Sequence, residues 1–512
     1  MALERSRSCL RCGETRPAAQ IKHCFLPEKI VEPFQLSASL GNVSSARFAW
    51  RPCGLQKSCG RCLRLGLLFS GGPAPGGHNV AVGMLQCLRS LSDKPSSDRD
   101  DGAGCLIGFL GGPAGLVEKR WTPIDKSTVA RYRNQGGFEL LSSGRLKLET
   151  PAHLEAAAKS CRELQLNGLV VVGGDDSNTN AAHLAEYFTA NGVGTVVVGV
   201  PKTIDDDMQG GGIAVSFGFD SASKVFAEMI GNVCADARSC RKYWHFIRVM
   251  GRQASHLTLE CALQCCPNIA LLGEEIAAKG TSLADIVEDI ATLVASRAAA
   301  GLHHGVVLVP EGLLTFLPEV AELMDEINDA STDEVHVRGA GAIRRRLSAA
   351  AAAAAAGLPD TIFEDLLVGR DSHGNVALSM LHTESLLAKL VGARLQAMAT
   401  RSESSRVRFR PVTHFCGYEG RAGLPTNFDA TYANALGHAA ALLVAGGATA
   451  TIAAVTNPTA PPKRWEVAGV PMCRLMCAER RAGRDVPVIR KQLVSIMLYK
   501  LCCLFQYSLM NV

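Results

Sequence analysis

Leu169-Val170-Val171-Val172-Gly173-Gly174-Asp175-Asp176-Ser177-Asn178-Thr179 is the stretch that decides the fold. Four consecutive apolar residues, three of them β-branched, read as a strand buried on both faces, which means a parallel sheet. The apolar-periodic segment 181–188 that follows reads as a helix. The strand therefore becomes a helix through two glycines, two carboxylates and short polar side chains. Glycines let backbone N–H groups approach a phosphate, and a helix N-terminus favours negative charge there. Carboxylates in the same place repel phosphate unless a metal stands between them, so Asp175 and Asp176 point to magnesium-assisted phosphate chemistry. The plain alternative is a turn whose Asp caps a helix.

The same rhythm runs outward from this point. Apolar runs at 65–70, 105–110, 195–200, 245–249, 269–272 and 306–309 alternate with helical segments, which predicts parallel sheets covered by helices. In such sheets ligands bind beyond the carboxyl ends of the strands, and the Gly and Asp clusters of this chain stand at those ends. The 512 residues exceed one ordinary core and predict two or three domains. Residues 1–62 are rich in Arg, Ser and Cys and read as a poorly ordered extension; the boundaries that follow are 63–235, 236–430 and 431–512. The segment 331–360 carries Arg344-Arg345-Arg346 and then an alanine run, and reads as an inserted helical or mobile surface segment.

Bulk composition excludes several classes. The 53 basic and 48 acidic residues give a net charge of +5, too balanced to argue for nucleic acid. No apolar segment has the roughly 18 uncharged residues of a membrane span. The 19 cysteines are scattered through predicted strands and helices, which suits reduced, buried thiols and a cytoplasmic location. Two CxxC pairs, Cys9 with Cys12 and Cys59 with Cys62, supply four thiols, but they lie much farther apart than in a zinc ribbon.

Further clusters follow other strands. Ser70-Gly71-Gly72-Pro73-Ala74-Pro75-Gly76-Gly77 can wrap a phosphate with backbone donors but lacks the lysine of a Walker loop. Pro201-Lys202-Thr203-Ile204-Asp205-Asp206-Asp207 gathers a cation and three carboxylates; one could accept the proton of an attacking hydroxyl, another could help hold Mg²⁺, and Lys202 could neutralise a transferring phosphate. Met250-Gly251-Arg252, Pro310-Glu311-Gly312 and Gly417-Tyr418-Glu419-Gly420-Arg421 add groups that suit a sugar phosphate.

These motifs, in this order, resemble the phosphofructokinase superfamily, most of all its pyrophosphate-dependent members. Gly108-Phe109-Leu110-Gly111-Gly112, Asn134-Gln135-Gly136-Gly137-Phe138 and Arg370-Asp371-Ser372-His373-Gly374-Asn375 support the likeness, which runs over about 65–493. It implies an α/β fold of two doubly wound Rossmann-like lobes, with parallel-rich sheets and the active site in the interlobe cleft. It implies reversible phosphoryl transfer between pyrophosphate and the 1-hydroxyl of fructose 6-phosphate, with Mg²⁺, in a homo-oligomer. Members that use ATP typically have Gly-Gly-Asp-Gly where this chain has Gly173-Gly174-Asp175-Asp176, and glycine in place of Lys202. The two side chains together would crowd out a nucleotide and favour pyrophosphate.

By matching position, Asp205 would be the general base, with Lys202 and Arg252 beside it in catalysis. Asp175 and Asp207 would place the metal. Gly71, Gly72, Asp176 and Lys202 would line the pyrophosphate subsite. Thr203, Asp205, Met250, Gly251, Arg252, Glu311, Tyr418 and Arg421 would hold the sugar phosphate, with Arg145 a further phosphate contact. Tyr243 would reach a neighbouring subunit's substrate. Asp206 stands where the family usually has Asn, and its charge could point to solvent or weaken phosphate binding. Three rivals are an ATP-dependent enzyme, a non-catalytic sugar-phosphate sensor, and a dinucleotide-binding oxidoreductase; the last lacks G-x-G-x-x-G after the first strand. Residues 495–512 form an apolar tail that departs from the family.

Overall fold

The computed structural model describes residues 63–91, 106–329, 343–358, 363–364, 366–367, 381–399, 407–481 and 484–495. The CxxC pairs, residues 1–62, the Arg370–Asn375 motif and the end of the apolar tail lie outside them. Among the described residues the chain divides into two compact units, one formed by residues 63–204 with 208–222 and 421–491, the other by 205–207, 223–420 and 492–495. The chain thus crosses at 222/223 and 420/421, where the sequence suggested 235/236 and 430/431. The described residues 492–495 group with the second unit.

The first unit is built on an eight-stranded sheet. Its strands are β1 (Leu65–Phe69), β2 (Leu106–Phe109), β3 (Trp121–Pro123), β4 (Gly168–Gly173), β5 (Val196–Thr203), β6 (Phe217–Gly218), β11 (Thr451–Val455) and β12 (Val467–Pro471). The order is β12-β11-β5-β4-β1-β2-β3, with β6 beside β5. The central pairs are parallel, and antiparallel β3 and β12 close the two edges. Each predicted run became a strand because its Val, Ile and Leu side chains bury on both faces: β1 and β4 are buried at every position. Their core includes Leu68, Phe109, Leu169, Val171, Ala181, Phe188, Val197 and Ile452. The short strands β3 and β12 have no long apolar run and were not legible by pattern.

The second unit carries a four-stranded, wholly parallel sheet in the order β10-β7-β9-β8, made of β7 (Trp244–Val249), β8 (Ile269–Ala270), β9 (Gly305–Pro310) and β10 (Pro411–Cys416). Its core joins Trp244, Phe246, Val307 and Val309 to helices that include Ala349–Gly357. The alanine run is helical, as the sequence allowed, and one of its faces packs on this core while Ala353 and Ala356 stay exposed. Ser348 caps this helix by accepting from the Ala351 N–H, and Ala351, Ala354 and Ala355 are buried against the core. Small side chains let the helix approach its neighbours closely, which a composition reading cannot distinguish from low complexity.

Candidate active site

In the first unit the site grows from the ends of β1, β4 and β5. The opening glycine turn is pinned at both sides: Ser70 N–H donates to Val172 O and Gly71 N–H to Gly144 O, at 2.8 and 3.0 Å. Gly71 has φ +81°, a conformation costly for any residue with a Cβ. Space is short at Gly72, where a Cβ would stand only 2.2 Å from the Arg421 guanidinium; a Cβ at Gly71 would make an ordinary contact, 3.7 Å from Lys202 Nζ. One cation therefore lies directly on the backbone of this loop and a second stands close to it. Lys202 is buried and also faces Gly174, whose hypothetical Cβ would be 4.0 Å from Nζ.

The second turn is held by its own polar residues. Gly174 starts the helix Asp175–Ala190, placing Asp175 and Asp176 in its first turn, where the helix dipole favours negative charge. Asn178 Nδ2 donates to the carbonyls of Gly173 and Gly174, at 2.7 and 2.9 Å. Gly199 of β5 makes room for it, since a Cβ there would meet Asn178 Oδ1 at 1.9 Å. Ser177 Oγ donates to Ser70 Oγ at 2.9 Å and ties the two turns together. Thr179 Oγ1 donates to Asp175 O and accepts from Ile489 N–H. Asp175 Oδ2 lies 3.2 Å from the Lys491 ammonium.

Lys202 and Thr203 are themselves positioned from behind. They pair with Phe217 and Gly218 of β6. Asp429, wholly buried, accepts from Gly218 N–H, Ser221 N–H and Ser221 Oγ, at 2.9, 2.8 and 2.6 Å. Burial and the neighbouring Asp220 push its carboxyl up to about 7, against the pull of those donors. Arg145 is exposed and adjoins Gly144, the partner of Gly71, so it too belongs to this loop cluster.

In the second unit, Asp205, Met250, Gly251, Arg252 and Glu311 come together. Glu311 N–H donates to Val249 O, Gly312 N–H to Gly251 O, and Gly251 N–H to Glu311 Oε2 at 3.1 Å. Gly251 has φ +134°, and a Cβ there would stand 3.9 Å from Asp205 Oδ1. Glu311 is buried; burial first, then the charge of Asp205, raises its carboxyl above the ordinary value. Asp207 O accepts from Gln492 N–H, and its side chain is 7% exposed.

Other expectations land differently. Asp206 does not face solvent: it is 4% exposed with φ 54°, a left-handed conformation that Asn and Asp tolerate better than most residues. That shared tolerance explains how Asp can stand where the family usually has Asn. Arg421 lies in the first unit against Gly72, whereas Tyr418 lies in the second unit and is 64% exposed. Tyr243 precedes β7 and Met250 follows it, so six strand residues, on the order of 20 Å, separate the two within this chain.

The metal fit rests on the donor set. Among the described residues no group of three or more His, Cys, Asp or Glu is placed to hold a metal by itself. Asp175 nevertheless offers hard carboxylate oxygens, the inner one buried and faced by a cation. That fits magnesium, which commonly takes one or two carboxylates and completes its shell with water and phosphate oxygens.

This geometry has close relatives. Residues 64–358 match the family model "Phosphofructokinase". The chain is 46% identical to pyrophosphate--fructose 6-phosphate 1-phosphotransferase of Treponema pallidum, covering 85% of this chain and 76% of that one. It is 45% identical to the subunit beta 2 of the Arabidopsis thaliana protein of that name, over 85% and 74% of the two chains. A solved pyrophosphate-dependent phosphofructokinase from Marinobacter aquaeolei superposes with a TM-score of 0.55 at 16% identity, over 85% and 86% of the chains, and so shares the fold. The chain belongs to the phosphofructokinase family.

Proposed function

We propose that this chain is a pyrophosphate-dependent phosphofructokinase, transferring phosphate reversibly from pyrophosphate to the 1-hydroxyl of fructose 6-phosphate. The observation that carries the donor assignment is the Lys202 ammonium standing beside Gly71 and Gly174, with Asp176 in the first turn of the helix that Gly174 starts. Those two side chains take up the room and set the charge that a nucleotide's inner phosphate would meet, while a compact, highly charged donor gains a cation. The names of relatives near 45% identity support the same reading.

In this reading Gly71, Gly72 and the cations Lys202 and Arg421 bind the donor. Asp205 takes the proton from the attacking hydroxyl. Glu311 and the Met250–Arg252 backbone orient the sugar, and Arg252 supplies charge to phosphate. Asp175 and Asp207 are the carboxylates for magnesium, which when bound neutralises phosphate oxygens. Catalysis is then mainly positioning and charge neutralisation, because phosphoryl transfer asks for little covalent work by the protein.

We further place the protein in the cytoplasm as an oligomer. The support is its thiols, such as Cys161 and Cys416, both buried and pushed up to about 12 by burial, which keeps them protonated and inert. No described helix is long and apolar enough to cross a membrane. Tyr243 is assigned to a neighbouring subunit's substrate. Steady-state turnover with pyrophosphate and with ATP at equal concentration tests the reading: a strong pyrophosphate preference is expected, and a strong ATP preference overturns it.

A further inference from the structure

The segment 489–491 has so far no role, yet it lies on the first turn of the helix Asp175–Ala190. The hairpin of β13 (Met476–Arg481) and β14 (Arg484–Ile489) brings it there. Ile489 N–H donates to Thr179 Oγ1, whose own proton goes to Asp175 O, and Arg490 N–H donates to Leu475 O at 2.7 Å. The clamped backbone sets Lys491 Nζ 3.2 Å from Asp175 Oδ2, with both side chains mostly sheltered, 22% and 17% exposed.

We propose that Lys491 is a further cation of the donor subsite, the resting counter-ion of Asp175 and a ligand of pyrophosphate; this rests on the pyrophosphate reading above. A multiply charged anion cannot settle beside Asp175 and Asp176 without positive charge to offset both. Lys202 and Arg421 lie on the glycine loop, and Lys491 supplies charge from the carboxylate side. A lysine serves phosphate as a compact point charge on a flexible stem. Asp175 would hold a metal only by giving up the Lys491 ammonium, which would then be placed to meet a phosphate oxygen; ammonium and metal would therefore compete for one carboxylate.

The test uses the full chain as wild type, Lys491→Gln and Lys491→Arg. Lys491→Gln is expected to raise KM for pyrophosphate by about tenfold while leaving KM for fructose 6-phosphate within about twofold, and Lys491→Arg to recover most of the loss. Calorimetric titration without turnover is expected to show weaker binding of inorganic pyrophosphate and tighter binding of Mg²⁺ alone to the Gln variant. Unchanged pyrophosphate binding overturns the proposal. So does a parallel rise of both KM values with a lowered melting temperature, which makes Lys491 only a strap. If the wild type turns over ATP instead of pyrophosphate, the functional reading fails, and titration with inorganic pyrophosphate still decides Lys491 by itself.

Discussion

The two regions proposed to bind donor and sugar are built from different materials. In the first unit, cations stand beside bare glycine backbone, Lys202 near Gly71 and Gly174 and Arg421 at Gly72, while a third, Lys491, pairs with the Asp175 carboxylate. In the second, buried acid is packed into a strand-end turn: Glu311 fixes Gly251, and Asp205 stands beside it. Multiple cations on bare backbone suit a donor that is nearly all charge. Carboxylates suit a hydroxylated sugar, whose O–H groups are donors and one of whose protons has to be removed. In the proposed reading the two regions, both rich in glycine, differ in what stands on that glycine: cations beside the donor loop, and a buried Glu with Asp205 beside the sugar turn.

The strongest attack on this contrast removes the base. Asp205→Ala is expected to lower kcat by about 10²–10⁴ while fructose 6-phosphate still binds, read by steady-state kinetics and calorimetry. Next, the double change Asp176→Gly with Lys202→Gly is expected to exchange donors, losing pyrophosphate turnover and gaining measurable ATP turnover. Unchanged donor preference would show that crowding at Gly71 and Gly174 does not set it. Arg421→Ala sharpens the border between the regions. Its place against Gly72 predicts a KM rise of roughly tenfold for pyrophosphate with a smaller change for the sugar phosphate. The opposite split would return it to the sugar side.

Asp429→Asn carries an expected loss of about 2 kcal/mol in stability, because the amide N–H₂ turns donor against donor at Ser221. Its pH signature has a definite sign. Asp429 holds its proton in the fold up to about 7, whereas the unfolded chain loses it near the ordinary value of 3.8. The fold therefore binds the extra proton between those values. This group's contribution is greatest below the lower value, declines as pH rises toward 7, and changes no further above it. Thermal melts of wild type and Asp429→Asn from pH 5 to 8 check this, and the Asn variant is expected to lack that slope.

Much of the site was legible because its chemistry is local. A strand followed by Gly-Gly-Asp-Asp, or by Pro-Lys-Thr-Ile-Asp, puts its polar groups at a strand end wherever the sheet forms. What was not legible came from afar. Asp429 meets Gly218 and Ser221 across more than 200 residues, and Lys491 meets Asp175 across more than 300. The buried face of the alanine helix was not legible because composition carries no sign of which neighbours close over it. Arg421 and Tyr418 stand three positions apart yet belong to different units, a split that no spacing rule reveals.

By itself the sequence determined the seven parallel strands marked by apolar runs, the carboxylates and glycines at their ends, and the family, since such runs and tight turns are dictated by neighbours in the chain; the parallel strands β6, β10 and β11 were not among them. Only the tertiary structure decided which cation lies on which glycine, that Asp206 is buried, and what supports Lys202 from behind. Those are choices of packing, made when distant segments compete for the same few ångströms.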